Sequence, residues 1–334
     1  MTNTKLLSQL RVLVVGLGSI GVRHLTNLHR LGCGYVGAFR SLKRPLHKSI
    51  DLTGVALYDD FDVALRQGYD AVVVCNPTSL HIEYALRAAE VGCHLYIEKP
   101  ISNSLEKTDV LLEMVRKNKL VVMVGCQLRF HPNLITVKGW LEQDLVGRVL
   151  SVQVNTGEYL PGWHPWEDYR AGYAARRDLG GGVILTLIHE IDYLYWFLGP
   201  LRPLDTIGGN SGALEVDVED HVTSMLLSHE HVPVMLHIDY LQQPPCRQMK
   251  IIGSHGVIEW DYYQGTARLV EDGELKETSN LTQKWERNDL FLGSMVDFLE
   301  SICERRQPRV PLEDGIETLR IALELKAQLG DQSD

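Results

Sequence analysis

Residues 11–24 read RVLVVGLGSIGVRH, a short β-branched run followed at once by three glycines and the start of a helical pattern. Gly16, Gly18 and Gly21 give G-x-G-x-x-G in the strand, turn and helix setting that a dinucleotide fingerprint needs. In such a turn the first glycine lets the chain reverse tightly, the second lets backbone approach a pyrophosphate, and the third lets helix lie against strand. Ser19 and Ile20 fall at the helix start, where backbone N–H groups face an anion. A purely structural glycine turn shares this spacing; the flanking strand and helix favour nucleotide binding.

An NAD-binding protein usually places an acid about twenty residues further on, for the ribose hydroxyls. This sequence instead has Phe39-Arg40-Ser41, then Lys43 and Arg44, with no carboxylate until Asp51. Arg40 and Ser41 suit a 2′-phosphate, so NADP(H) is the favoured cofactor and NAD(H) the alternative. Solvated surface cations would leave the same pattern.

Outward from the fingerprint, apolar runs at 12–15, 35–39, 71–75, 94–97 and 120–125 alternate with helical patterns at 20–31, 60–67, 79–91 and 104–118. That alternation predicts a doubly wound parallel sheet covered on both faces. From about residue 148 the rhythm changes to successive strands with short links, SVQVNTG, HVTSMLLS, VPVMLHIDY, RQMKIIG, GVIEWDYY and TARLVE, which predict a mainly antiparallel sheet. Two helices are expected at 288–304 and 313–328. The domain organisation read from this is an N-terminal Rossmann domain over 1–126 and a C-terminal α/β domain for substrate and oligomerisation over 127–334.

At 334 residues, 45% of them hydrophobic, the chain can bury the cores of two domains. A formal net charge of −10 repels a phosphate backbone, which argues against nucleic acid as a partner. The start, MTNTKLLSQL, lacks a long apolar run, and VILTLIHEIDYLYWFLG (183–199) is interrupted by His189, Glu190 and Asp192. Neither is expected to engage a membrane, and a cytoplasmic location is expected. The six cysteines have no C-x-x-C pair and no metal-like spacing, so buried thiols and no metal site are expected.

The segment CNPTSLHIEYALRAAEVGCHLYIEKPIS (75–102) carries a family likeness. Asn76-Pro77-Thr78 at a strand end, His81 and Glu83 in the next helix, and Glu98-Lys99-Pro100 closing the following strand resemble the Gfo/Idh/MocA family of glucose-fructose oxidoreductases and inositol dehydrogenases. The resemblance continues through QLRFHP (127–132) to a late glycine-rich turn and a histidine-bearing helix, so it covers essentially the whole chain. It implies a nicotinamide-dependent oxidoreductase acting on a sugar, cyclitol or sugar nucleotide. It also implies a second domain on a large open sheet that often forms the interface of a homodimer or homotetramer. Asn76, Pro77, His81 and Glu98 are thereby expected beside the cofactor.

Hydride transfer at a carbinol carbon needs a donor beside the developing alkoxide, and Lys99 is the expected group. Glu98 is expected to orient it or to meet the nicotinamide ribose, and Pro100 fixes the local backbone, with a cis peptide left open. In DLGGGVILTLIHEIDYLYWFLG (178–199) helical spacing puts Thr186, His189, Asp192 and Trp196 on one stripe, with Glu190 turned aside. His189 is the expected proton shuttle and Asp192 the group that fixes its tautomer. Members of the family commonly carry an aspartate one turn before this histidine. Leu185 and Thr186 stand there instead, so either the Thr186 hydroxyl takes that place or the activity is altered.

The loop at 155–182 is dense in rings and guanidinium groups, and Trp163, Trp166, Tyr173 and Arg176 are expected to meet a polyhydroxylated ligand, with or without a phosphate. Packing anchors for a long loop are the plainer explanation. Arg129 or His131, entering the second domain, is expected to line the cleft. The function expected is NAD(P)-dependent interconversion of a secondary hydroxyl and a ketone. Its rivals are an NAD-dependent glycosidase with transient redox and a degenerate cofactor-binding sensor.

Overall fold

A computed structural model describes residues 7–41 and 52–330, which fall into two compact units. The first runs through Gln127 and resumes over Arg287–Ile316; the second comprises Leu128–Glu286 and the residues from Glu317 onward.

In the first unit a six-stranded parallel sheet is built from β1 (Arg11–Val15), β2 (Tyr35–Phe39), β3 (Ala56–Tyr58), β4 (Ala71–Val74), β5 (His94–Ile97) and β6 (Val122–Val124). Their order is β3-β2-β1-β4-β5-β6, so the winding reverses between β1 and β4. Strands such as VLVV and AVVV are apolar throughout because both faces are covered, and every residue of those runs is buried. The covering helices are α1 (Ser19–Arg30), α2 (Phe61–Leu65), α3 (His81–Glu90) and α4 (Thr108–Asn118). The Asp60 side chain caps α2 by accepting from the Val63 N–H at 2.9 Å. The strands are in step where they end: Val15 pairs with Val74, and Val74 with Ile97. Residues following β1, β4 and β5 therefore leave the same edge of the sheet.

The second unit opens with α5 (Pro132–Glu142) and β7 (Val149–Gly157), then α6 (Val183–Thr186) and α7 (His189–Leu198). It continues through β8 (Leu201–Gly209), β9 (His221–Ser228), β10 (Pro233–Asp239), β11 (Cys246–Gly253), β12 (Gly256–Asp261), β13 (Thr266–Glu271) and β14 (Glu274–Asn280). The eight strands lie in the order β14-β13-β12-β11-β7-β10-β9-β8, antiparallel except for β7 beside β10. One face carries the core: Val152, Val154, Leu236, Met249, Ile251 and Trp260 are buried while their neighbours in sequence alternate outward. Trp140 of α5 anchors that helix, its Nε1 donating to Glu277 Oε2 at 2.8 Å.

The chain then returns. Helix α8 (Asn288–Glu304) packs in the first unit, where Ser294 Oγ lies 2.8 Å from Tyr96 Oη and Asn288 Nδ2 donates to Asn27 Oδ1 at 2.9 Å. The last helix, α9 (Leu312–Gly330), begins in the first unit and ends in the second. By compactness, Arg287–Ile316 thus groups with the first unit, whereas the sequence reads as one stretch over 127–334. The apolar stripe of α8, with Phe291, Met295 and Phe298, shows that one face is buried but not which sheet it covers. Among the described residues no helix is long and apolar enough to cross a membrane.

Candidate functional site

The fingerprint lies where the first sheet reverses. Gly16 has φ +94°, and a Cβ there would stand 2.9 Å from the Asn76 backbone nitrogen. A Cβ on Gly21 would stand 1.9 Å from the Gly16 carbonyl oxygen, so helix and turn meet without side chains between them. A Cβ on Gly18 would meet nothing within 4 Å among the described residues, which leaves its backbone approachable. Helix α1 begins at Ser19 with no side-chain cap and no acid in its first turn. Its first N–H groups, including those of Ser19 and Ile20, are the donors that a pyrophosphate needs. Across the switch point the Asn76 side-chain amide, beside Pro77, is buried at both polar atoms with no hydrogen-bond partner among the described residues. A glycine cradle and an unsatisfied amide facing the same sheet edge fit a dinucleotide. Gly21→Ala is expected to weaken dinucleotide binding by more than about tenfold, since the added methyl must push the Gly16 turn aside. A titration following NADPH fluorescence checks this.

Arg40 follows β2, half-buried, with its backbone N–H donating to the Tyr58 carbonyl at 3.1 Å, and Ser41 is exposed beyond it. Lys43, Arg44 and Asp51 lie outside the described residues.

Glu98-Lys99-Pro100 leave β5 on the same edge, and the Lys99–Pro100 peptide is cis. Lys99 is half-buried. The Glu98 carboxylate is buried, 2.7 Å from His24 Nε2 on one oxygen, and accepts from the Lys99 backbone N–H at 3.2 Å on the other. It is therefore held by the protein itself. His81, expected beside the cofactor, lies between the loops that carry Asn76 and Pro100. Its ring nitrogens face the Pro100 and Asn76 carbonyls, each at 2.8 Å, and the residue is buried. Burial holds its pKa below the ordinary value against the pull of those carbonyls.

In the second unit Thr186 and His189 are both buried, but they do not share one helix. The chain leaves α geometry at Leu187 (φ −95°, ψ 32°), so α6 ends at Thr186 and α7 starts at His189. The expected single stripe is broken there, and the Thr186 hydroxyl interacts with the buried Tyr240 hydroxyl. Asp192, expected to fix the imidazole, accepts Arg129 Nε at 2.9 Å and Nη2 at 2.7 Å, one on each oxygen. Arg129, expected to touch substrate, is 1% exposed and committed to this pair, with its guanidinium 5.9 Å from the Trp196 ring centre. His131 is also fully buried, among Trp260, Tyr262 and Trp285, and burial followed by the Arg247 charge pushes its pKa down to about 4.

Sequence reasoning missed Glu190, which spacing had turned aside. It is fully buried and accepts from Arg247 Nε at 2.8 Å and Thr156 Oγ1 at 3.2 Å, directly after His189. Burial holds its carboxyl above the usual range despite the Arg247 guanidinium. In the loop, Trp163 packs edge-on against Tyr240 with ring centres 5.5 Å apart. Trp166 is 66% exposed and Tyr173 is also open. Arg176 carries its own counter-ion, Asp178, at 2.5 Å on the surface, so a ligand anion would have to displace a carboxylate.

Residues 10–126 match the family described as an oxidoreductase family with an NAD-binding Rossmann fold, and residues 134–259 match the GFO/IDH/MocA C-terminal domain. The chain is 30% identical over 270 residues to Oxidoreductase P35 of Formosa agariphila, covering 73% of this chain and 81% of that protein. It is 24% identical over 337 residues to the myo-inositol 2-dehydrogenase of Thermotoga maritima, covering 97% of each. Among solved structures, levoglucosan dehydrogenase in complex with NADH and levoglucosan shares the fold with a TM-score of 0.85 at 16% identity, over 97% of this chain and 98% of that one. With a fingerprint that fits a dinucleotide and both of its domains matched, the chain belongs to the Gfo/Idh/MocA family of NAD-binding oxidoreductases.

Proposed function

We propose that this enzyme interconverts a secondary hydroxyl and a ketone on a sugar, cyclitol or sugar nucleotide, using NADP(H) in preference to NAD(H). The observation that carries the reading is the alignment of strand ends. Val15, Val74 and Ile97 are in register, so the fingerprint, Asn76 and Lys99 leave one edge of one sheet. That edge is where open α/β sheets take their ligands. The dinucleotide, when bound, accepts or supplies hydride.

Lys99 donates a hydrogen bond to the carbinol oxygen as negative charge develops there, and takes up or returns the hydroxyl proton as the C–H hydride leaves or arrives. In the second unit His189 is the further proton-exchanging group, with Thr186 standing in place of an acid. Trp166 and Tyr173 offer exposed rings, and Arg176 a cation, to a hydroxylated ligand. The names of relatives support the substrate class: a myo-inositol 2-dehydrogenase among proteins of similar sequence, and a levoglucosan dehydrogenase among similar folds. Ile207, Met225 and Met235 are exposed apolar residues on β8, β9 and β10, and a homodimer or homotetramer is proposed to cover them.

Arg40→Asp tests the cofactor assignment. The wild type is expected to bind NADPH more tightly than NADH, and the variant to reverse that order by about tenfold or more, because a carboxylate repels a 2′-phosphate and accepts from ribose hydroxyls. Side-by-side fluorescence titrations read the result. Binding of neither dinucleotide by the folded wild type would overturn the whole reading.

A further inference from the structure

Glu98 is confined from three elements of the first unit. Oε1 lies 2.7 Å from His24 Nε2 on α1, and Oε2 accepts from the Lys99 N–H at 3.2 Å. Gly125, just past β6, gives clearance, since a Cβ there would stand 3.0–3.1 Å from the carboxylate atoms. His24 is 0% exposed and Glu98 5%. The imidazole is set edge-on to Tyr96, with ring centres 4.9 Å apart, and to Phe291 at 6.1 Å. Its Nδ1 is buried with no hydrogen-bond partner among the described residues.

These contacts choose the tautomer. A proton on Nε2 donates to the carboxylate and leaves only a lone pair unsatisfied at Nδ1, whereas a proton on Nδ1 would bury an unpaired donor and set two acceptors face to face. An apolar residue would fill the same volume, but it would leave a buried carboxylate oxygen without this donor. Packing alone therefore does not account for a histidine at position 24. Helix α1 is also the helix whose first turn carries the fingerprint, and His24 lies on it a turn and a half after Ser19.

We propose that His24 is a positioning residue for Lys99, acting through Glu98. It fixes the carboxylate, the carboxylate fixes the Lys99 backbone, and the helix that receives the pyrophosphate thereby also sets the lysine. This inference rests on the role given to Lys99 above.

His24→Phe keeps a ring and removes the donor; His24→Gln returns a donor near the Nε2 position. Three quantities are read on the full chain: dinucleotide Kd, kcat, and the acetylation of Lys99 by limiting acetic anhydride relative to the other lysines, followed by mass spectrometry. For His24→Phe, Kd is expected to stay within about twofold, kcat to fall about tenfold, and relative Lys99 labelling to change about threefold or more. His24→Gln is expected to restore most of both losses. A folded His24→Phe protein with wild-type kcat and Lys99 labelling overturns the proposal, and so does a glutamine variant that behaves like the phenylalanine one. Should His24→Phe not fold, Glu98→Gln is expected to shift Lys99 labelling in its place, and unchanged labelling there also overturns it. Labelling needs no substrate, so the two failures separate. Wild type without turnover on any sugar or cyclitol, but with His24-sensitive labelling, counts against the oxidoreductase reading alone.

Discussion

Lys99→Met is expected to lower kcat by about 10²–10⁴ while dinucleotide Kd stays within about twofold. Methionine nearly keeps the length of the side chain and removes the amino group, so on the proposed mechanism the developing alkoxide loses its donor and the hydroxyl proton its first acceptor. Dinucleotide affinity is expected to be insulated from the change because the donors proposed for the pyrophosphate are backbone groups at Gly18 and the start of α1. Local structure is insulated as well, since Glu98 holds residue 99 through the backbone N–H, which any residue but proline supplies. Lys99→Arg separates the two tasks of the lysine. Arginine keeps the positive charge but stays protonated at working pH, so it restores electrostatic stabilisation without proton exchange and should remain well below wild type. Single-turnover measurement of hydride transfer reads the chemical step directly. A methionine variant within about tenfold of wild type would remove Lys99 from the mechanism.

The fold was legible where burial wrote itself into the sequence. Strands β1, β4 and β5 are covered on both faces and read as unbroken apolar runs, and the core strands of the second sheet alternate as half-buried strands do. The strands that escaped notice, β3, β8 and β14, are all edge strands. An edge strand is paired on one side only and tolerates what central strands exclude: β14 reads ELKETSN, nearly all of it exposed, and β8 holds Pro203 and ends in two glycines. Helix α5, PNLITVKGWLE, was hidden by its β-branched residues and glycine. The site divides along the same physical line. Glycine spacing and the Glu98-Lys99-Pro100 run are local and could be read. The buried partners could not, because His24 meets Glu98 across 74 positions, Arg129 meets Asp192 across 63, and Glu190 meets Arg247 across 57. Sequence shows that a charged residue exists; only topology shows which opposite charge it is buried against.

That distinction has its largest energetic consequence at Arg129 and Asp192. Their side chains are 2% and 0% exposed, joined by two hydrogen bonds of 2.9 and 2.7 Å. Arg129→Met should destabilise the second unit by about 3–5 kcal/mol, because it leaves the Asp192 carboxylate in a low-dielectric interior without its guanidinium. Asp192→Leu should cost about as much by stranding the cation. The double variant Arg129→Met/Asp192→Leu should recover most of the loss, since the intact pair must itself offset the desolvation of two charges and an apolar pair of similar volume need not. The unit reports on itself: all six tryptophans lie between residues 128 and 286, so urea unfolding followed by tryptophan fluorescence reads this unit and not the first. Dinucleotide Kd, whose donors belong to the first unit, should hold across the three variants. A double variant no more stable than either single one would show that the surroundings were shaped for charge. The assignment of Arg129 as a structural anchor would then give way to a direct role for the pair at the site.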